Sequence, residues 1–393
     1  MVSQSIKPIK PCSSLSLYGR GKFFVRKDRV RGIKAFQLFS SYISLIRPDF
    51  IRPPSPTSRR RKNSVVSRVN HIMTDITASR ARALDRLKFG DTIFKNLTFL
   101  SALTVLLILG GVLISLVHGA WPAFKEFGFF GFIAGESWNP VTEKFGALAP
   151  IYGTVVASFI ALLIAAPVGI GIAIFLTELC PMSLRRPIGI AIELLAGIPS
   201  IIYGIWGLFF FAPFLQVYVQ PALIKTFGSI PILSTLFSGV PYGIGLLTAS
   251  LILAIMVLPF ITSISRDVFE TVPPVLKESA YGMGCTTWEV VRNVVLPYTR
   301  TGVIGGMMLG LGRALGETMA VTFVIGNAHK VSASLLAPAT TISATIANEF
   351  TEAVGDIYTS SLIALALILF IITFMVLSAA RFMLMRLEKQ KGA

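Results

Sequence analysis

The sequence contains few groups that could perform chemistry. Among its 393 residues are three histidines and three cysteines, and neither set has the spacing of a metal site or a redox pair. The phosphate-binding pattern G-x4-G-K-[ST] is also missing. The one Gly-Lys pair, Gly21-Lys22, has Ser16 in place of the first glycine and Phe23 in place of the hydroxyl residue. We therefore predict no catalytic residue, no metal and no cofactor bound by this chain, so that any energy from ATP comes from another polypeptide.

Charged residues are scarce as well. They make up 14% of the chain against 53% hydrophobic residues, which is too apolar for a soluble protein of this size and indicates a membrane protein. The net charge of +17 could suggest a nucleic-acid partner, but it is unevenly distributed. Residues 1–72 hold 16 Lys and Arg against 2 acidic residues, which leaves 20 against 17 for residues 73–393. The basic character belongs to the N-terminal segment, and we predict no nucleic-acid binding.

The N-terminal 72 residues are rich in Ser, Arg and Pro, with Pro53-Pro-Ser-Pro56 and Arg59-Arg-Arg-Lys62 interrupting any helical pattern. This composition predicts disorder, and no secretory signal is recognisable. We favour a misplaced start with Met73 as the initiator; the alternatives are a transit peptide or a basic tail attracted to anionic lipid. The remaining predicted parts are a cytoplasmic lead-in over 73–96, a transmembrane domain over 97–385 and a cytoplasmic tail over 386–393.

Six apolar segments are each long enough to cross a membrane as a helix, which predicts an all-α membrane protein. They are approximately Leu97–Val117, Tyr152–Leu176, Ile188–Phe211, Ile244–Ile264, Gly302–Ile325 and Leu362–Met383. Lys and Arg concentrate after the second and fourth segments and at the C-terminus. By the positive-inside rule these regions and both termini face the cytoplasm.

The loop after the fourth segment has a distinctive spacing. Glu278-Ser279-Ala280 is followed by three residues, Gly284, nine residues and Val294, and the pattern closes on Leu296-Pro297. It predicts a short helix, a bend at Gly284, and a second helix over Trp288–Val294 that the proline ends. The pattern resembles the EAA loop of ABC-importer permeases, by which the membrane subunit grips its ATPase.

The fifth segment combines small residues with charges. Gly302, Gly306 and Gly310 recur every four residues, and at about 100° per residue Arg313 and Glu317 fall on the same helical face. Small residues at this spacing allow close helix packing, and charges inside a membrane face protein or water. Two interpretations stay open: the charges line a translocation pathway, or they form an i, i+4 pair that neutralises itself and joins two helices.

Several segments together resemble the PstC-type permease subunits of the bacterial phosphate ABC importer. They are Leu311–Val321, Ala347–Phe350, Phe175–Pro181 and Glu193–Gly204. Met319 favours this subunit type over its sister PstA. The resemblance extends from about Leu97 to Glu388.

The resemblance implies a multi-pass permease of the bacterial inner membrane, with six helices in the type I importer arrangement, that translocates phosphate without being an enzyme itself. It implies a PstA-like second permease, two PstB-like ATPase subunits that carry ATP and magnesium, a periplasmic PstS-like phosphate-binding protein, and membrane lipid as partners. Arg313 and Glu317 would then belong to the translocation pathway. The residues that would couple to the ATPase are Glu278, Ser279, Ala280, Gly284, Leu296 and Pro297.

Two other functions remain possible from the residues. An ABC permease for another oxyanion, such as sulfate or molybdate, would also carry an EAA-like loop. An ion-coupled transporter or channel could use Arg313 and Glu317 as a relay, although the spacing from Glu278 to Pro297 argues against it.

Overall fold

The computed structural model describes residues 56–391, with side chains described over 90–386 apart from 231 and 232. The described residues are mostly helical, and two isolated bridges, Asn139 with Lys144 and Gly326 with Ala339, are the only extended pairings among them. The α-helices are α1 Pro56–Phe127, α2 Phe129–Ala134, α3 Leu148–Ile174, α4 Met182–Ala196, α5 Ser200–Trp206, α6 Ala212–Phe214, α7 Gln220–Phe227, α8 Pro231–Leu236, α9 Leu246–Glu270, α10 Pro274–Gly282, α11 Thr287–Val290, α12 Leu296–Leu315, α13 Met319–Val324, α14 Ile342–Glu349 and α15 Asp356–Lys391. Wider π-helical turns continue several of them, at Phe175–Leu179, Gly207–Phe211, Leu215–Val219 and Val291–Val295.

Six helical stretches in the described part of the chain are long and apolar enough to span a membrane, which confirms the predicted all-α fold with six spans. These spans are Gly90–Phe127, Leu148–Leu179, Ser200–Phe227, Leu246–Glu270, Thr287–Leu315 and Asp356–Arg386. Four of them contain the segments predicted from hydropathy almost completely, whereas the third and the fifth differ.

The third span begins later than the sequence predicts. The predicted segment Ile188–Phe211 is divided, because α4 ends at Ala196 and α5 begins at Ser200. Pro199 precedes α5, and a proline disfavours helical geometry at the residue before it. The continuous stretch that can span is Ser200–Phe227, and α4 is a separate helix.

The fifth span ends earlier than predicted. Helix α12 stops at Leu315, and the short α13 begins only at Met319. Helix α13 packs closely on α5. A Cβ on Gly204 of α5 would lie 2.8 Å from Phe323 Cδ2 and 3.1 Å from Ala320 Cα, so only glycine leaves enough room there. Hydropathy alone could not place this break, since both sides of it are apolar.

Helix α9 is the centre of the packing within Ile108–Ala393, which forms one compact unit. It packs most extensively against α3 and then α12. On α3, Ala157, Ala161 and Ala165 repeat every four residues and are fully or almost fully buried against α9. Small side chains on one helical face let two helices approach closely where there is no water to drive association.

The interpretation of residues 1–72 as a disordered tail or a misplaced start stays a prediction. Residues 1–55 lie outside the described residues. Helix α1 begins at Pro56 and includes residues 56–72, where the composition predicted disorder. Residues 57–89 contain neither proline nor glycine, which is compatible with a continuous helix there.

Candidate functional site

The first candidate site is the helical hairpin formed by residues 274–295. Helices α10 and α11 are joined by a bend in which Gly284 has φ +85°, in the left-handed region that favours glycine. A Cβ on Gly284 would meet nothing within 4 Å, so the backbone conformation, and not crowding, calls for glycine there. The hydroxyl of Thr286 accepts a hydrogen bond from the Glu289 N–H, and Glu289 Oε2 accepts one from the Thr286 N–H at 2.8 Å. This reciprocal cap fixes the start of α11 directly after the bend.

The hairpin has one face packed on the protein and one face exposed. Ala280 is buried in an apolar cluster with Ala173 of α3 and Phe269 of α9. Glu278 and Ser279 are exposed. Four large apolar side chains of the hairpin are also exposed: Val275 (68% exposed), Tyr281 (42%), Met283 (57%) and Trp288 (63%). An exposed apolar patch with polar neighbours is typical of a surface that docks another protein.

The second helix of the hairpin does not end at Leu296-Pro297, which corrects the prediction. The helical path runs without interruption from Thr287 to Leu315. The π-helical turn Val291–Val295 precedes Pro297, which stands in the first turn of α12. A proline lacks an N–H and its ring crowds the carbonyl four residues earlier, and a wider turn before it relieves both problems.

The glycine stripe of the fifth span packs against α9. A Cβ on Gly302 would lie 2.5 Å from Val268 Cγ1, and one on Gly306 would lie 2.8 Å from Ile264 Cγ2. A Cβ on Gly310 would lie 3.0 Å from side-chain carbons of Ile261 and Val257. The three glycines therefore make room for branched side chains of α9, and they hold α12 at close range.

The second candidate site is the pair Arg313 and Glu317, and here the expected helical geometry is wrong. Glu317 lies two residues beyond the end of α12, so the two side chains do not share one helix. Glu317 is 9% exposed, and its Oε1 accepts a hydrogen bond from the Ala320 N–H at 3.3 Å. No ion pair joins Arg313 to Glu317 among the residues that the structure describes.

Arg313 is left without an acceptor in the described part of the chain. Its Nε is buried and unbonded, and its guanidinium carbon lies 5.3 Å from the centre of the Phe260 ring. A ring face attracts a cation, but it does not satisfy the N–H groups. A guanidinium in a membrane-spanning helix with unused donors can bind an anion, and its flat fork suits an oxyanion.

The sequence interpretation missed a third cluster of polar residues. The Glu349 carboxylate accepts hydrogen bonds from Trp138 Nε1 (2.6 Å) and the Tyr358 hydroxyl (2.8 Å), and it bonds His329 Nε2 at 2.7 Å. Burial raises the pKa of Glu349, but the three hydrogen bonds together lower it below its usual value. These residues come from four separate segments, so the cluster ties the chain together. The available signal was Glu349 itself, inside the resembling segment Ala347–Phe350.

Comparisons with known proteins place the chain in a family. Residues 165–387 match the family described as binding-protein-dependent transport system inner membrane component. The phosphate transport system permease protein PstC of Mesorhizobium japonicum is 68% identical over 328 residues, covering 84% of this chain and 100% of that protein. The proteins of the same name from Pasteurella multocida (55% identical, 85% and 99% covered) and Haemophilus influenzae (56% identical, 77% and 95% covered) are also similar. The chain belongs to the PstC family of binding-protein-dependent transport permeases.

Proposed function

We propose that this chain is the permease subunit through which an ATP-driven importer moves inorganic phosphate across the bacterial inner membrane. Relatives at 55–68% identity bear the name of a phosphate transport permease, and the six spans make the chain a multi-pass membrane protein. The distribution of Lys and Arg favours cytoplasmic termini and a cytoplasmic helical hairpin.

The observation that carries the proposal is the unpaired guanidinium of Arg313. Phosphate at neutral pH carries between one and two negative charges, and a low-dielectric region repels it strongly unless a cation compensates. Arg313 offers a permanent positive charge whose Nε–H is buried and unbonded. The adjacent Phe260 ring holds the guanidinium in place without occupying its hydrogen-bond donors.

Glu317 supplies the release step in this proposal. A free guanidinium would bind phosphate too firmly to let it pass, so a competing carboxylate is useful. Glu317 holds a single hydrogen bond from the Ala320 N–H, at 3.3 Å, which is readily exchanged. When phosphate leaves Arg313, Glu317 can turn to pair with the guanidinium and repel a returning anion.

The partners follow from the helical hairpin and from the family. The exposed apolar face with Val275, Met283 and Trp288 would dock into a groove of an ATPase subunit, with two such subunits in the complex. A second, PstA-like permease and a periplasmic phosphate-binding protein complete the importer. ATP and magnesium would bind to the ATPase, and this chain would contribute no catalytic residue.

The test is phosphate uptake by the complete complex reconstituted in liposomes, with and without ATP. Arg313→Gln should lower ATP-dependent uptake by about 10- to 100-fold, corresponding to the loss of about 1.5–3 kcal/mol of charge-assisted hydrogen bonding. The complex should still assemble and hydrolyse ATP. Glu317→Gln should also lower uptake, and the matched control Arg381→Gln, at an exposed arginine of α15, should not.

Other outcomes would contradict the proposal. Recovery of uptake in the double Gln variant of Arg313 and Glu317 would mean that the two charges form a structural clamp. Strong competition by sulfate or molybdate would assign another oxyanion. Uptake that follows an ion gradient in the absence of ATP would indicate a secondary transporter.

A further inference from the structure

An ion pair connects the helical hairpin to the end of the second span. Lys277 Nζ lies 2.6 Å from Glu178 Oε1, and the two side chains are 19% and 6% exposed. Lys277 belongs to α10, and Glu178 belongs to the π-helical turn that ends the second span. The two residues are 99 positions apart in the sequence. Neither one has been given a role in the function proposed above.

This pair differs from the other contacts of the hairpin. Ala280 and Val290 hold the hairpin by apolar packing, which has no preferred direction and allows sliding. A nearly buried ion pair at 2.6 Å resists displacement in every direction, because separating the partners leaves an uncompensated charge in a site of low dielectric. Within the described residues it is the one ion pair formed by α10.

Lys277 is also well placed to receive movement. It directly precedes Glu278 on α10, and the exposed face of this helix includes Val275 and Glu278. A partner that pulls on the exposed face of this nine-residue helix therefore pulls on Lys277 on its inner side.

Glu178, the partner of Lys277, lies in a turn that is joined to the membrane helices. The carbonyl of Thr177, next to Glu178, accepts a hydrogen bond from Arg185 Nη2 at 2.7 Å, which joins the turn to α4. The turn continues α3, and α3 packs along α9. Helix α9 in turn receives the glycine stripe of α12, the helix that carries Arg313. Packed helices thus connect Glu178 to α12 and the proposed phosphate pathway.

We infer that the Lys277–Glu178 ion pair transmits the movement of the helical hairpin to the second span, and that ATP hydrolysis drives transport only while this pair is intact. Lys277 and Glu178 are positioning residues that touch neither phosphate nor ATP. The inference rests on the proposed function, because it assumes an ATPase that moves the hairpin.

The test measures phosphate transported per ATP hydrolysed by the reconstituted complex. Lys277→Glu and Glu178→Lys should each lower this ratio by about tenfold or more while ATP hydrolysis continues, and the double charge exchange should bring the ratio back toward the wild-type value. Should a reversed charge prevent assembly, the milder Glu178→Gln, which keeps a hydrogen-bond acceptor, should still lower the ratio. The matched control is Glu193→Gln, which removes the 2.7 Å ion pair between α4 and Arg266 of α9 and does not touch the hairpin.

The outcomes separate the two proposals. An unchanged ratio in assembled Glu178→Gln and Lys277→Glu complexes, or a ratio that stays low in the double exchange, would overturn the inference. A parallel fall of transport and hydrolysis with a constant ratio would also overturn it. A wild-type complex that fails to couple ATP to phosphate uptake would instead refute the proposed function.

Discussion

Glu317 and Glu349 are both poorly exposed carboxylates, but their hydrogen-bond partners differ. Glu317 accepts one bond of 3.3 Å from the Ala320 backbone N–H, whereas Glu349 accepts short bonds from side chains of three other segments. A weakly held carboxylate can change partners, and a fully bonded one fixes its surroundings. We therefore propose that Glu317 exchanges partners during transport and that Glu349 keeps its partners and fixes the segments around it.

The fixed role of Glu349 predicts a pH-dependent stability difference. Because folding lowers the pKa of Glu349, its ionised carboxylate stabilises the folded state at pH values above the unfolded pKa of about 4.5. This stabilisation is lost as the pH falls through the lower pKa of the folded state. Glu349→Gln replaces one acceptor oxygen by a donor and should destabilise the protein by about 1–3 kcal/mol at pH 7.

Thermal unfolding of the purified protein between pH 4 and pH 8 checks this expectation. The difference in unfolding temperature between wild type and Glu349→Gln should stay constant from about pH 6 to 8. It should shrink below about pH 4.5. The neighbouring Glu352→Gln serves as control, since Glu352 is exposed. Equal unfolding temperatures of wild type and Glu349→Gln at pH 7 would contradict the fixed role.

Among the elements of the fold, the helix breaks and bends indicate the candidate sites more directly than the regular helices do. The helices that follow the two breaks, α5 and α13, pack together through Gly204. Interrupted helices in transporters often border the substrate site. Arg313 lies in the last turn of α12, just before one of these breaks, and Glu317 lies within it.

The bend of the helical hairpin gives a prediction at the same scale. Gly284→Val places a branched side chain at φ +85°, which costs about 1–2 kcal/mol or more and should reshape the hairpin. Membrane insertion should persist, while co-purification of the ATPase subunits and transport should fall. Gly282→Val is the matched control, because Gly282 also has open space around it but has no positive φ. Undiminished ATPase binding and transport in Gly284→Val would refute the role of the bend.

For the whole molecule, residues 1–72 are predicted to be dispensable for transport. The break in composition near residue 72 predicts that expression from Met73 gives full insertion, assembly and phosphate uptake. Met73 lies inside α1, upstream of the first span at Gly90–Phe127, so the shortened chain keeps that span whole. Membrane fractionation and uptake assays with both lengths provide the measurement. Loss of assembly in the shorter chain would show that residues 1–72 are needed.

The sequence by itself determined the six-span helical fold, the hairpin with its bend at Gly284 and the family, because hydropathy and short spacings are local properties of the chain. Even the glycine stripe could be read as a packing surface, since its period of four is local, although its partner α9 could not be named. Local patterns were insufficient at Gly316, because the apolar helices α12 and α13 before and after this break read as one continuous segment.

Only the tertiary structure decided which charges have partners. Lys277 pairs with Glu178 across 99 positions, and Trp138 bonds Glu349 across 211. Arg313 and Glu317, four positions apart, do not pair, because the close packing of α13 on α5 accompanies a break in the helix between them. Contacts between distant segments depend on how helices pack, and the free energy of packing outweighs the local preference to continue a helix.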